Sequence, residues 1–168
     1  DFVDLDSIMQ CDVISLHTPL MERGAHPTRN MIDHQRLEGL TDKQVLINAC
    51  RGEVLDNQAA LALFQQGKTM HLVLDVWDHE PEILLPLVPF TAFATAHIAG
   101  YSLEGKARGT EMLYQALCEQ FDRPVDKLLS DFLPDSGISH IEINQAYSEI
   151  LLNQLVKIVY DVRRDDGL

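Results

Sequence analysis

The first hundred residues alternate between short apolar runs and stretches with helical spacing. "DVISL" (12–16), "VLINA" (45–49), "LVLDV" (72–76) and "AFATA" (92–96) are apolar on both faces, the pattern of parallel strands covered by helices on both sides. Between them, "DHQRLEGL" offers Asp33 as a helix N-cap. "DNQAALALFQQG" offers Asp56 as a second cap and Gly67 as a C-terminal stop. Strand, helix, strand, helix predicts a parallel α/β sheet.

Past residue 100 the pattern changes. A long helix is expected from Ser102 to about Phe121, followed by "DRPVDKLLSDFLPDSG" as a linker rich in turn residues. "AYSEILLNQLVKIVYDVRRDD" then reads as a second long helix, with Ile150, Leu151, Leu155, Val156, Ile158, Val159 and Val162 as its apolar stripe. About four strands can be placed, and no G-x-G-x-x-G occurs. A doubly wound sheet binds its ligand where strand order reverses, so it needs both halves. The expected architecture is therefore α/β, the second half of a Rossmann-type dinucleotide-binding domain over residues 1–121, followed by a tail over 122–168.

Composition narrows the partners. A net charge of −13 argues against sequence-independent binding to nucleic acid or to an anionic membrane, both of which need excess Lys and Arg. Cys11, Cys50 and Cys118 are isolated and odd in number, which points to a reduced, cytoplasmic protein with no disulfide framework and no metal site. No apolar run approaches the ~20 residues of a membrane span.

Three chemistry-bearing residues follow strand ends: Arg51 after "VLINAC", Glu80 after "LVLDVWDH" and His97 after "FATA". The carboxyl ends of parallel strands converge on one crevice, so residues far apart in sequence can share a site. Histidine changes charge near neutral pH and suits general acid–base work. A carboxylate beside it stabilises the imidazolium, a role for Glu80. Arg51 can grip a substrate carboxylate at two points. Asp75 is placed to accept a hydrogen bond from a polar cofactor edge such as a carboxamide. His97, Glu80 and Arg51 each have a plainer reading: a surface or core-satisfied histidine, a solvated turn glutamate, an arginine paired locally with Glu53 or Asp56.

The motifs "LINACRGEVLDNQAALALFQQG", "LDVWDHEP" and "TAHIAGYSLEGKARGT", with "SLHTPL" at 15–20, closely resemble the D-isomer-specific 2-hydroxyacid dehydrogenases. The resemblance runs from about residue 5 to 121. It implies NAD as cofactor, an Arg51, Glu80 and His97 catalytic triad, cofactor contacts from Thr18, Asp75 and Gly100, and a substrate contact from Tyr101. It also implies that Trp77 and Pro81 fix the turn presenting Asp75 and Glu80. Ala96 stands where many relatives have proline.

"HIAGYSLEGKARGT" and "LVKIVYDVRRDD" further resemble the vitamin B6 subgroup, which oxidises 4-phosphoerythronate and carries an extra C-terminal dimerisation domain. By that likeness residues ~125–168 begin such a domain and the intact protein is a homodimer. The glycine-rich loop and the ribose-binding acid would precede Asp1, so the chain is expected to be an internal piece that binds NAD weakly or not at all by itself. The triad handles only the hydroxy-acid end, which leaves 3-phosphoglycerate or hydroxypyruvate as rival substrates. A non-catalytic interaction module is the rival of another class. Lys106 and Arg108 are candidates for a substrate phosphate by charge alone.

Overall fold

The computed structural model describes residues 2–135, 137, 138 and 140–167. They form two compact units, residues 1–98 with 162–168, and residues 99–161.

The first unit is a four-stranded, wholly parallel sheet in the order β1-β2-β3-β4. Its strands are β1 (Val13–Leu16), β2 (Val45–Asn48), β3 (His71–Leu74) and β4 (Phe93–Ala94). Register is regular: Val13 lies opposite Val45, Val45 opposite His71, and Val73 opposite Phe93. A short helix α1 (Leu5–Ile8) precedes β1, and α2 (His34–Gly39) and α3 (Asn57–Gln65) are the crossovers.

Both expected caps form. The Asp33 carboxylate accepts from Arg36 N–H at 3.0 Å and Asp56 from Ala59 N–H at 2.9 Å, each satisfying a first-turn donor that the helix cannot. Gly67, at φ +88°, turns the chain out of α3 through a left-handed conformation that glycine tolerates.

The core lies on one side of the sheet. Ile14 and Leu16, Leu46, Leu72 and Leu74, and Ala94 pack into one cluster with Leu37, Ala60 and Leu63 of the helices. Alternate residues face the other way: Val13 is 60% exposed, and Val45, Ile47, Val73 and Phe93 are half-buried. Within this chain the second face of the strands is only partly covered. Side chains alternate across a strand, and only one set is enclosed. Apolar residues on the second face made both faces look alike in sequence.

The second unit contains α4 (Leu103–Gln120), capped by the Ser102 hydroxyl, and α5 (Glu149–Val159), capped by Ser148. The segment between them holds a single 3-10 turn, Leu129–Asp131, among its described residues. The last helix is shorter than expected. It stops at Val159, Tyr160 is extended (φ −159°), and Val162–Arg164 form a separate turn. Successive β-branched and aromatic residues, Ile158-Val159-Tyr160, then Asp161, lower helix propensity enough to end it there. Val162 therefore leaves the stripe. Among the described residues no helix is long and apolar enough to cross a membrane.

Candidate active site

Four loops leave the carboxyl ends of the four strands, and each carries a candidate residue: Thr18 after β1, Arg51 after β2, Asp75 and Glu80 after β3, His97 after β4. Parallel pairing is what sets them along one edge.

The best-defined contact joins the last two loops. His97 Nδ1 lies 2.6 Å from Glu80 Oε2, with 43% of the His97 side chain and 31% of Glu80 exposed. An ionised carboxylate only accepts, so Nδ1 carries the proton and Nε2 is left as the second ring position. Glu80 is held in turn, since its Oε1 accepts the Trp77 backbone N–H at 2.7 Å. Both oxygens of one carboxylate are thereby assigned, and the imidazole is oriented by a group that is itself oriented.

Trp77, 2% exposed, belongs to the core, and its indole N–H donates to the Thr95 carbonyl at 3.0 Å. It thus ties the turn bearing Glu80 to the strand end bearing His97. Trp77 thus fixes the turn, as expected, while also packing in the core.

The Arg51 loop abuts that turn. A Cβ on Gly52 would overlap the Trp77 carbonyl group, so only glycine permits this approach. Asn48, fully buried, donates to the Arg51 carbonyl at 2.9 Å and accepts from Cys50 N–H at 3.2 Å. Asn57, 2% exposed, accepts from Asp78 N–H at 3.2 Å and donates to the Leu55 carbonyl at 2.9 Å. The Arg51 guanidinium is exposed and donates to the Cys50 carbonyl at 2.7 Å. It pairs with no described carboxylate within 4.0 Å, which sets aside the local pairing with Glu53 or Asp56.

Asp75 is 6% exposed. Its Oδ1 accepts the Thr95 hydroxyl at 2.6 Å and the Ile98 N–H at 2.7 Å, while its carbonyl accepts the His97 N–H at 2.8 Å. The loop after β4 is wrapped around this one residue. Thr18 differs: its Oγ1 is buried and has no hydrogen-bond partner among the described residues. An orphaned hydroxyl there is unfavourable until something supplies a partner, and a cofactor amide fits that need. The residues present suit the nicotinamide end of a dinucleotide.

Gly100 and Tyr101 belong to the second unit. Gly100 is left-handed at φ +74°, just before the Ser102 cap. Tyr101 is 69% exposed, and the Lys106 ammonium lies 3.2 Å from its ring centroid. The adjacent Lys106 ammonium, by polar contact and by charge, holds the Tyr101 phenol below its ordinary range. Lys106 therefore has a local partner, beyond the charge that marked it in sequence.

Asn48, Gly52, Asn57 and Thr95 escaped the sequence reading. Two carried a signal. Asn48 is a polar residue inside an apolar run, and Gly52 directly follows the arginine, where a glycine marks close backbone approach.

Residues 1–99 match the family model described as "D-isomer specific 2-hydroxyacid dehydrogenase, NAD binding domain". Erythronate-4-phosphate dehydrogenase of Colwellia psychrerythraea is 56% identical over 99% of this chain and 42% of its own length. That of Pseudoalteromonas atlantica is 55% identical over 98% of this chain and 44% of its own. The chain thus spans under half the length of these curated relatives. Among solved structures, a D-lactate dehydrogenase from Aquifex aeolicus complexed with NAD and lactic acid aligns with a TM-score of 0.54 and 27% identity, covering 70% of this chain and 39% of that one. An NAD-complexed D-isomer specific 2-hydroxyacid dehydrogenase from Lactobacillus delbrueckii ssp. bulgaricus shares the fold at a TM-score of 0.54 and 24% identity, over 74% of this chain and 41% of its own. With more than half its length matched by that family model, the chain belongs to the D-isomer-specific 2-hydroxyacid dehydrogenases.

Proposed function

We propose that this chain contributes the proton-transfer residues and the nicotinamide side of an NAD-dependent dehydrogenase. Its substrate is 4-phospho-D-erythronate and its product 2-oxo-3-hydroxy-4-phosphobutanoate, in vitamin B6 synthesis. The carrying observation is the 2.6 Å contact between His97 Nδ1 and Glu80 Oε2 at the sheet edge that also bears Arg51. The 55–56% identity to proteins named for that activity supports the substrate.

With Nδ1 held by Glu80, Nε2 of the neutral ring is the acceptor for the C2 hydroxyl proton, and the imidazolium that results is stabilised where it forms. Arg51, released from the Cys50 carbonyl, clamps the substrate carboxylate and orients C2. Thr18, Asp75 and Gly100 hold NAD, the Thr18 hydroxyl gaining the partner it lacks. The chemistry NAD supplies when bound is acceptance of a hydride from C2. Tyr101, with Lys106 over its ring, contacts the substrate.

The intact protein is a homodimer, supported by the exposed Ile150, Val156 and Val159 on α5. Residues ~125–168 begin the dimerisation domain. Free Cys11, Cys50 and Cys118 support a reducing, cytoplasmic setting. The test is NADH formation by the full-length enzyme with 4-phosphoerythronate, 3-phosphoglycerate and hydroxypyruvate's reduced form, glycerate, side by side. The proposal expects the highest kcat/KM for 4-phosphoerythronate; preference for either rival reassigns the substrate and leaves the family unchanged.

A further inference from the structure

We infer that Thr95 is a positioning residue for His97, acting through the buried Asp75 carboxylate. This rests on the reading of His97 as the proton-transfer residue.

His97 sits at φ +55°, a left-handed conformation that a side chain with a Cβ disfavours unless its surroundings impose it. Asp75 imposes it from two directions. Its carbonyl accepts the His97 N–H at 2.8 Å, and its Oδ1 accepts the next amide, Ile98 N–H, at 2.7 Å. The side-chain oxygen must therefore point along the loop for His97 to be caught between two bonds.

Thr95 sets that direction. Its hydroxyl donates to the same Oδ1 at 2.6 Å, a short bond between two buried groups. Thr95 is itself fixed from both sides and 5% exposed: its N–H donates to the Leu74 carbonyl at 3.0 Å, and its carbonyl accepts the Trp77 indole at 3.0 Å. The hydroxyl is thus a rigid donor aimed at a carboxylate whose other duty is to shape the His97 turn. The path is short and continuous: Thr95 hydroxyl, Asp75 Oδ1, Ile98 amide, the adjoining His97 backbone, imidazole, Glu80.

The test compares Thr95→Ser with Thr95→Ala in the full-length enzyme. Both lose the methyl group, so they differ only in the hydroxyl; Thr95→Val, which keeps the shape, is the third variant should the smaller residues loosen the core. One readout is the downfield proton resonance of His97 Nδ1–H bonded to Glu80, assigned by its loss in Glu80→Gln. The second is the division between kcat and KM.

Thr95→Ser is expected to keep the resonance and the rate. Thr95→Ala and Thr95→Val are expected to lose or shift the resonance, with kcat down roughly tenfold and KM for the hydroxy acid within about twofold, since small displacements of a proton-transfer group fall on the chemical step. A resonance and kcat unchanged without the hydroxyl overturn the inference, as does a lowered kcat with the resonance intact. Should the wild type oxidise no D-2-hydroxy acid, the functional reading fails, and the resonance alone still decides whether Thr95 positions His97.

Discussion

The two units differ in what holds their side chains. Of the described apolar residues that are fully buried, all but Cys118 belong to the first unit. Four buried polar residues around the strand ends, Asn48, Asn57, Asp75 and Thr95, are each hydrogen-bonded. In the second unit α4 and α5 are built from local signals, serine caps and helical spacing, and leave Met112, Leu113, Leu117, Ile150 and Val159 exposed. A site for proton transfer needs groups placed to fractions of an ångström, which packing and hydrogen bonds from several elements supply. The proposed association through α5 would need only a regular scaffold and an open apolar face.

Several substitutions sharpen that contrast. Leu72→Ala, in the middle of the buried cluster, should lower stability by about 2–5 kcal/mol, read by denaturant unfolding. Next comes Gly52→Ala, whose new methyl group meets the Trp77 backbone. It should cost about 1–3 kcal/mol through overpacking, and it should also lower kcat, because the displaced Trp77 N–H is what holds Glu80. A Gly52→Ala enzyme with normal stability and rate would break the link drawn between the Arg51 and Glu80 loops.

Asp56→Ala removes the α3 cap and should cost about 1 kcal/mol. By contrast, Val159→Ser, at 82% exposure, should change unfolding free energy by no more than about 0.5 kcal/mol while weakening self-association in sedimentation. A large loss of stability with no change in association would mean that this face is ordinary core.

The smallest effect is a pH dependence in the second unit. The Tyr114 hydroxyl donates to Asp126 Oδ1 at 2.6 Å and accepts the Asp126 N–H at 3.2 Å. The bond to the Asp126 side chain raises the Tyr114 phenol to about 12, and the bond from Tyr114 holds the Asp126 carboxyl below its ordinary range. The raised phenol favours the folded pairing below the ordinary tyrosine range, and this is lost as pH climbs through about 12. The lowered carboxyl favours it above the ordinary aspartate range, and this is lost as acid protonates Asp126. Ring-proton NMR of Tyr114 should show the high titration, and Asp126→Asn should abolish the shift. Titration of Tyr114 near 10 in the wild type would contradict it.

Much of the first unit was legible because its signals are local. Four apolar runs became four strands, and Asp33, Asp56 and Gly67 cap or stop their helices as their spacing implies. Arg51, Glu80 and His97 were visible because each follows a strand, and parallel strands end together. What was illegible depends on pairs far apart in the chain. Nothing near Thr95 reveals that its hydroxyl meets Asp75, and nothing near Gly52 reveals Trp77 against it. The one-sided sheet was hidden for another reason: residues such as Val45 and Val73 are apolar whether or not they are covered. Helix α5 ended early because periodicity continues through Val162 while propensity fails at Ile158-Val159-Tyr160.

The most direct test of the account is the turnover of His97→Ala in the full-length enzyme, with NADH binding measured on the same preparation. Loss of the general base should lower kcat by about 10²–10⁴-fold while NADH binds as in the wild type. A variant that still turns over hydroxy acid within a few-fold of wild type would show that the Glu80–His97 pair is a surface contact and that the proton leaves by another route.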